Sequence, residues 1–98
     1  MTKVKKYYDP MNNAYYDTYE LEYDLDSIAT AMDFINTNSK RNAVRGFDGG
    51  VVWYNNNGDR LVCNTGYVIY KTSKDKLDDF HIENKKFFED MIEVVNDK

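Results

Sequence analysis

Alternating and recurring apolar positions predict strands in the first part of the chain. Residues 4–8 predict a short strand that ends at Asp9-Pro10, a dipeptide that favours a turn. Residues 14–24 predict a second strand, and its last part alternates strictly between apolar and acidic residues. The apolar side of this alternation carries Tyr19, Leu21, Tyr23 and Leu25, and the acidic side carries Glu20, Glu22, Asp24 and Asp26.

A short helix is predicted to follow this alternation, over residues 27–37. Asp26 is a suitable N-cap for it, because a carboxylate at that position accepts a hydrogen bond from the first turn. Ile28, Met32 and Ile35 recur at helical spacing and form one apolar stripe.

The dipeptide Asn57-Gly58 predicts a β-hairpin between residues 51–54 and 61–63, because it suits a two-residue type I′ turn. In that register Tyr54 lies opposite Leu61 and Val52 lies opposite Cys63. We therefore expect Cys63 to point into the core beside Val52. A further short strand is expected around Val44.

The last part of the chain predicts one more strand, over residues 67–72, and then a long helix over about 75–95 that Ser73 or Asp75 caps. The apolar stripe of this helix would be Leu77, Phe80, Phe87, Phe88, Met91, Val94 and Val95. The resulting order is β-β-α-β-β-β-α. It predicts an α+β fold in which a small antiparallel sheet of about four or five strands packs against a short helix and a long C-terminal helix.

Length and composition indicate a single domain over residues 1–98. The chain is 42% hydrophobic and 31% charged, and its 13 basic against 17 acidic residues give a net charge of −4. That balance argues against a general nucleic-acid binder, whose affinity comes mainly from neutralised phosphates. The single cysteine excludes an internal disulfide and suits a reducing compartment. We find no signal peptide and no apolar run that could cross a membrane, so we expect a cytoplasmic protein.

Catalytic and metal-binding motifs are missing from the sequence. Cys63 is the only thiol and His81 the only histidine, and there is no Cys-x-x-Cys or His-Glu-x-x-His. We expect a buried, inert Cys63 and a structural His81 on the final helix, with no cofactor, no metal and no catalysis. Gly46 to Gly50 lacks the Lys-Ser/Thr of a phosphate loop and is interpreted as a turn. Lys40, Arg41 and Arg45 form a small basic cluster, either a solvated loop or a contact for a phosphate or an acidic partner.

Acidic residues are concentrated in one stretch, residues 9–39, which carries seven acids and no base. On a strand, Glu20, Glu22, Asp24 and Asp26 would lie about 6.8 Å apart along one face. Each neighbouring pair would then repel by about 0.6 kcal/mol in unscreened water. Two interpretations remain open. The acids protect a sheet edge from aggregation, or they form a surface that binds a positively charged partner.

Paired tyrosines and the one tryptophan are the candidate apolar anchors of such a surface. Tyr15 and Tyr16 are neighbours on a predicted strand, so one of the two must point away from the core. Trp53 lies on the opposite side of its strand from Val52 and Tyr54. It is either covered by a helix or available to a partner. Exposed aromatic side chains dominate the binding energy of many interfaces.

In size, charge and lack of catalytic groups, the chain is similar in type to small inhibitors that phages and mobile elements encode, such as anti-restriction and anti-CRISPR proteins. No family motif supports this similarity. We expect an acidic inhibitor of a basic, nucleic-acid-handling enzyme, with a nucleic-acid mimic as one form. The alternatives are an immunity or antitoxin-like protein, a structural module that self-associates through the Trp53 face, and a small enzyme or ligand-binding domain. The expected partner-binding residues are Glu20, Glu22, Asp24, Asp26, Tyr15, Tyr16 and Trp53.

Overall fold

A computed structural model of the protein describes residues 4–38, 43–46, 49–76 and 79–95. Within these ranges the chain forms eight strands, one α-helix and one short 3-10 helix. In chain order they are β1 (Lys5–Asp9), β2 (Ala14–Glu20), α1 (Leu25–Asn38), β3 (Val44–Arg45), β4 (Val51–Tyr54), β5 (Arg60–Cys63), β6 (Tyr67–Thr72), β7 (Phe80–Asn84), the 3-10 helix (Lys85–Phe88) and β8 (Ile92–Val94).

The larger sheet is antiparallel and has five strands in the order β7-β6-β2-β1-β8. At the turn between β1 and β2, the Asp9 carboxylate accepts hydrogen bonds from the Met11 backbone nitrogen (3.1 Å) and the Asn12 side-chain nitrogen (2.7 Å). Asn13 follows with a φ of 50°, a conformation that asparagine tolerates. The two strands and the turn predicted for this part of the chain are confirmed, but β2 ends at Glu20 and not at residue 24.

The two faces of the larger sheet support two separate cores. Tyr19 on β2 is 1% exposed and packs on one face with Ile69 of β6 and Phe80 of β7. Tyr16 lies three residues earlier and therefore points to the opposite face, where Phe88 of the 3-10 helix covers it. The rings of Tyr16 and Phe88 meet edge to face with centroids 5.8 Å apart, an arrangement that aromatic pairs prefer.

Helix α1 packs one apolar stripe against the first of these two cores, which contains Tyr19, Ile69 and Phe80 and is called the Tyr19 core below. Its buried residues are Ile28, Ala31, Phe34 and Ile35. The predicted helix is confirmed, but its N-cap is Asp24 and not Asp26. Asp24 Oδ1 accepts a hydrogen bond from the Ser27 backbone nitrogen at 2.7 Å, and Asp26 lies in the first turn. The helix therefore starts two residues earlier than the sequence pattern indicated.

A second sheet has three antiparallel strands in the order β3-β4-β5. The hairpin β4–β5 is confirmed, but its predicted register, with Tyr54 opposite Leu61 and Val52 opposite Cys63, is wrong by one residue. The observed pairs are Val51↔Cys63, Val52↔Val62, Trp53↔Leu61 and Tyr54↔Arg60.

Asn55 is the physical cause of the shifted register. Its side-chain oxygen accepts hydrogen bonds from the backbone nitrogens of Asn57 and Asp59, both at 2.9 Å. Gly58 donates its backbone N–H to the Asn55 carbonyl at 3.0 Å and has a φ of 86°. These bonds close a loop over residues 55–59, which is longer than the two-residue turn that Asn57-Gly58 alone would make.

The long C-terminal helix predicted over 75–95 does not form. The described residues of this segment lie in a turn, β7, the 3-10 helix and β8, whereas Leu77 lies outside the described ranges. The helical stripe was incomplete, because Glu83 and Asn84 follow Phe80 at the positions where a helix needs apolar partners. In the strand, Phe80 and Ile82 share one face, and Ile82 lies opposite Ile69 and packs on the Tyr19 core.

The predicted fold class is therefore wrong. One sheet packed against a short and a long helix was expected, and the protein is instead mostly sheet. Its described residues form a five-stranded and a three-stranded sheet with one α-helix. Residues of α1, β4 and β5 join the Tyr19 core of the larger sheet.

Candidate functional site

The four acids predicted to lie along one strand face do not do so. Only Glu20 belongs to β2, Asp24 caps α1, and Asp26 lies in the first turn of α1. Ser27 makes the bend between strand and helix, because its side-chain oxygen accepts a hydrogen bond from the Glu22 backbone nitrogen at 2.8 Å. The predicted spacing of about 6.8 Å, which a continuous strand requires, is therefore wrong.

Glu20 is also separated from the other acids by its charge partner. Its side-chain oxygen lies 3.1 Å from the Lys85 ammonium of the 3-10 helix. This carboxylate is already compensated within the protein, and we remove Glu20 from the candidate site.

The remaining acids gather around one cavity of about 830 Å³ at the start of α1. Glu22, Asp24 and Asp26 line it together with Asp33, and these four residues are called the acidic face below. Among the side chains that the structure describes, no lysine or arginine forms an ion pair with any of the four. The acidic face thus presents four carboxylates that lack a basic partner in the described part of the chain.

Two large apolar residues are exposed within the same segment. Tyr23 is 81% exposed and Leu25, which lines the cavity, is 66% exposed. The alternation had placed both on the core side of a strand, and that prediction is wrong because the strand ends before them. The Tyr23 ring lies against Gly49, where an added Cβ would be 3.3 Å from Cε1. The sequence did carry a signal for this bend, since Asp24 is as good an N-cap residue as Asp26.

The three predicted aromatic anchors have different environments. Trp53 is 1% exposed in the Tyr19 core, and Tyr16 is 8% exposed in the second core. Both side chains are covered within the protein, so neither is included in the candidate site. Tyr15 is 47% exposed on β2, with its ring 4.9 Å from Tyr8, but it does not line the acidic cavity.

The single thiol and the single imidazole have different environments. Cys63 is fully buried, as predicted, although it lies opposite Val51; burial raises the pKa of its thiol to about 12. His81 lies half-buried on β7 and not on a helix, with Nε2 2.6 Å from an Asp75 oxygen. Within the described ranges, no three His, Cys, Asp or Glu side chains come close enough together to hold a metal ion.

We expect Cys63 to resist thiol reagents in the folded protein and to react fully after denaturation. The reactive species is the thiolate, and a buried thiol with a pKa of about 12 is almost entirely protonated near neutral pH. Labelling with a chromogenic disulfide reagent, with and without denaturant, measures this difference. Labelling of the native protein at the rate of a free peptide thiol would contradict it.

The predicted basic cluster is only partly described. Lys40 and Arg41 lie outside the described residues, as do residues 47 and 48 of the glycine-containing turn, whereas Arg45 is exposed on β3. No helix in the described ranges is long and apolar enough to span a membrane.

Comparisons with known proteins give no relative from which a function could be transferred. No protein-family description matches this chain, no curated protein is significantly similar to it in sequence, and no solved structure matches it.

Proposed function

We propose that this protein is a cytoplasmic, non-enzymatic inhibitor that binds a basic surface on another protein through its acidic face. The observation that carries this proposal is the placement of Tyr23 and Leu25, both largely exposed, beside carboxylates that have no described basic partner. Charge and apolar area thus occur together at one point of the surface. A partner surface that carries basic side chains around an apolar patch would be complementary to the carboxylates and to the exposed apolar side chains.

The electrostatic part of this arrangement favours fast association with a basic partner. Asp26 and Asp33 lie on α1 about 10.5 Å apart along the helix axis, given 1.5 Å per residue. The Debye length in physiological salt is about 8 Å, so a basic group of a partner feels the potential of these charges mainly once it comes within about that distance of the acidic face. Such a potential raises the association rate more than it lowers the dissociation rate.

Tyr23 supplies the apolar part. A tyrosine ring that is 81% exposed in the free protein can bury most of its surface in a partner, and interface tyrosines often dominate the binding energy.

A nucleic-acid-handling enzyme is the target class that we favour, because its substrate groove is basic by necessity. The spacing of the acids favours contact with a few basic residues over imitation of a whole duplex. A duplex carries one charge per about 1.7 Å of its axis, far more densely than α1 does. An anti-defence role of the anti-CRISPR or anti-restriction type fits this target class.

Charge reversal on the acidic face tests the proposal. Immobilised protein is used to capture partners from a host lysate, and the purified partner is then tested in a nucleic-acid cleavage assay and in kinetic binding. We expect Asp26→Lys with Asp33→Lys to lower the association rate by about tenfold or more, and high salt to have the same effect on the unaltered protein. Tyr23→Ala should instead raise the dissociation rate by about tenfold.

The matched control is Asp90→Lys with Glu93→Lys, which changes the net charge equally at exposed residues outside the acidic face. This control should bind and inhibit almost as well as the unaltered protein. If both double variants lost the same fraction of the association rate, the effect would depend only on net charge, and the proposal that the acidic face binds the partner would be contradicted. Retention of a labelled DNA duplex by the protein itself at about 0.15 M salt would also contradict the proposal.

A further inference from the structure

The chain contains one asparagine that is followed by glycine, and it lies in the β4–β5 loop. Asn57 and Gly58 are both exposed, and a Cβ added to Gly58 would meet no atom within 4 Å. From this loop the geometry points to a modification site: Asn57 is converted spontaneously to an acid through attack of the Gly58 backbone nitrogen on the Asn57 side-chain amide. This inference is independent of the proposed function.

Three consecutive asparagines occupy the loop, and their side chains are held differently. The Asn55 oxygen accepts hydrogen bonds from two backbone nitrogens, and the Asn56 side-chain nitrogen donates to Asp79 Oδ1 at 2.7 Å. The Asn57 side chain makes no hydrogen bond with any described residue. It is therefore the one amide of the three that is free to rotate towards the next peptide nitrogen.

Gly58 is the residue that permits ring closure. It has no side chain to hinder the approach of its nitrogen to Cγ of Asn57, and glycine visits backbone conformations that other residues avoid. One contact opposes the reaction, because the Gly58 N–H donates to the Asn55 carbonyl at 3.0 Å. That bond must open before the nitrogen can attack, so we expect the folded loop to react more slowly than the same unfolded segment.

The reaction needs only water as a co-reactant. The Gly58 nitrogen loses its proton to solvent base and forms a bond to Asn57 Cγ, and the side-chain nitrogen leaves as ammonia. The resulting five-membered imide is then hydrolysed by water. Cleavage at the Cγ–N bond gives aspartate, and cleavage at the bond between the backbone carbonyl carbon and nitrogen gives isoaspartate.

The product changes both the charge and the geometry of the loop. The net charge falls from −4 to −5, since one neutral amide becomes a carboxylate. The isoaspartate product also adds one methylene to the backbone between residues 57 and 58. In the unmodified loop the backbone nitrogens of Asn57 and Gly58 both donate hydrogen bonds to Asn55, and the added methylene separates these two donors. We expect the loop to loosen its connection to Asp79, which Asn56 makes through its backbone and its side chain.

Prolonged incubation of the full chain at mildly alkaline pH, followed by peptide mapping with mass spectrometry, tests this inference. We expect an acid at position 57, as a mixture of aspartate and isoaspartate, before any other asparagine of the chain converts. A parallel sample in denaturant should convert severalfold faster if the Gly58–Asn55 bond restrains the reaction.

Gly58→Ala is the matched control, because its methyl group hinders ring closure while Asn57 stays in place. It should slow the conversion severalfold under denaturing conditions, where folding differences do not contribute. Earlier conversion of another asparagine, or an equal rate in the Gly58→Ala variant, would overturn the assignment.

Discussion

Replacement of Gly50 by alanine should lower the free energy of unfolding by roughly 3 kcal/mol, since overpacking a rigid site costs about 1–3 kcal/mol and occasionally more. An alanine Cβ at this position would overlap the Cys63 backbone carbonyl oxygen. Backbone cannot move aside as a flexible side chain can, and the Gly50 carbonyl also accepts a hydrogen bond from the Gly46 nitrogen at 2.7 Å. Thermal unfolding followed by circular dichroism should show a Tm lower by roughly 10–20 °C.

Gly58→Ala is the comparison that separates steric overlap from backbone strain. Gly58 has a φ of 86° but no neighbour within 4 Å of an added Cβ. Its substitution should cost about 1–2 kcal/mol, the usual penalty for an alanine in the left-handed region. If the Gly50→Ala variant were as stable as the Gly58→Ala variant, the backbone at Gly50, just before β4, would not be closely packed against the Cys63 carbonyl.

Truncation of Trp53 to alanine should cost roughly 3–5 kcal/mol, because a fully buried large side chain is lost from the Tyr19 core. Trp53→Phe should cost much less than this. The indole Nε1 is buried without a hydrogen-bond partner in the described structure. An unsatisfied buried donor costs about 1–3 kcal/mol, so its removal offsets part of the lost packing.

Chemical denaturation of both Trp53 variants measures the difference, with Tyr54→Ala as the control. Tyr54 is the next residue on β4 and is 48% exposed, so its truncation should change stability little. Equal destabilisation by Trp53→Phe and Trp53→Ala would mean that the indole N–H does contribute a stabilising bond. Because Trp53 is buried, neither variant should alter the kinetics of partner binding as long as it is folded.

Local patterns predicted the strands near the start of the chain, α1 and the β4–β5 hairpin, because each depends on neighbouring residues. They failed where a distant contact decides the conformation. Residues 80–84 form a strand because β6 offers them an unpaired edge, with Ile69 opposite Ile82. No helical propensity or local stripe contains that information.

The sequence predicted which acidic residues lie near the candidate site, but it did not predict how they are arranged in space. The excess of acids near α1 is visible in the sequence, and so is the candidate cap at Asp24. The strict alternation over 19–26 concealed the bend, because Tyr23 and Leu25 look like core positions if the strand continues. The strand ends where the Ser27 side chain forms hydrogen bonds with the Tyr19 hydroxyl and the Glu22 backbone nitrogen. The hydrophobic pattern of the sequence does not show which residues make these bonds.

Asp24 now limits which variants can test the acidic face. Its carboxylate caps α1, so charge reversal there would remove a bond worth about 1 kcal/mol and place a positive charge at the helix N-terminus. Reversal of Glu20 would similarly remove its contact with Lys85. Asp33 lies away from the helix N-terminus, and Asp26, although it lies in the first turn, accepts no capping hydrogen bond through its carboxylate in the described structure. Reversal at these two positions therefore removes no such bond, and Asp33 alone is free of the unfavourable charge at the helix N-terminus.

The pairing of β1 with β8 affects how the chain can fold during synthesis. Lys6 lies opposite Val94, so the outer edge of β1 stays unpaired until residues 92–94 have been synthesised, more than 80 residues after β1. Until then the β1–β2 hairpin presents an open row of backbone donors and acceptors, to which another nascent chain could add a strand. Lys5 and Lys6 lie on this strand, and their charges make such an addition less favourable until β8 pairs with β1.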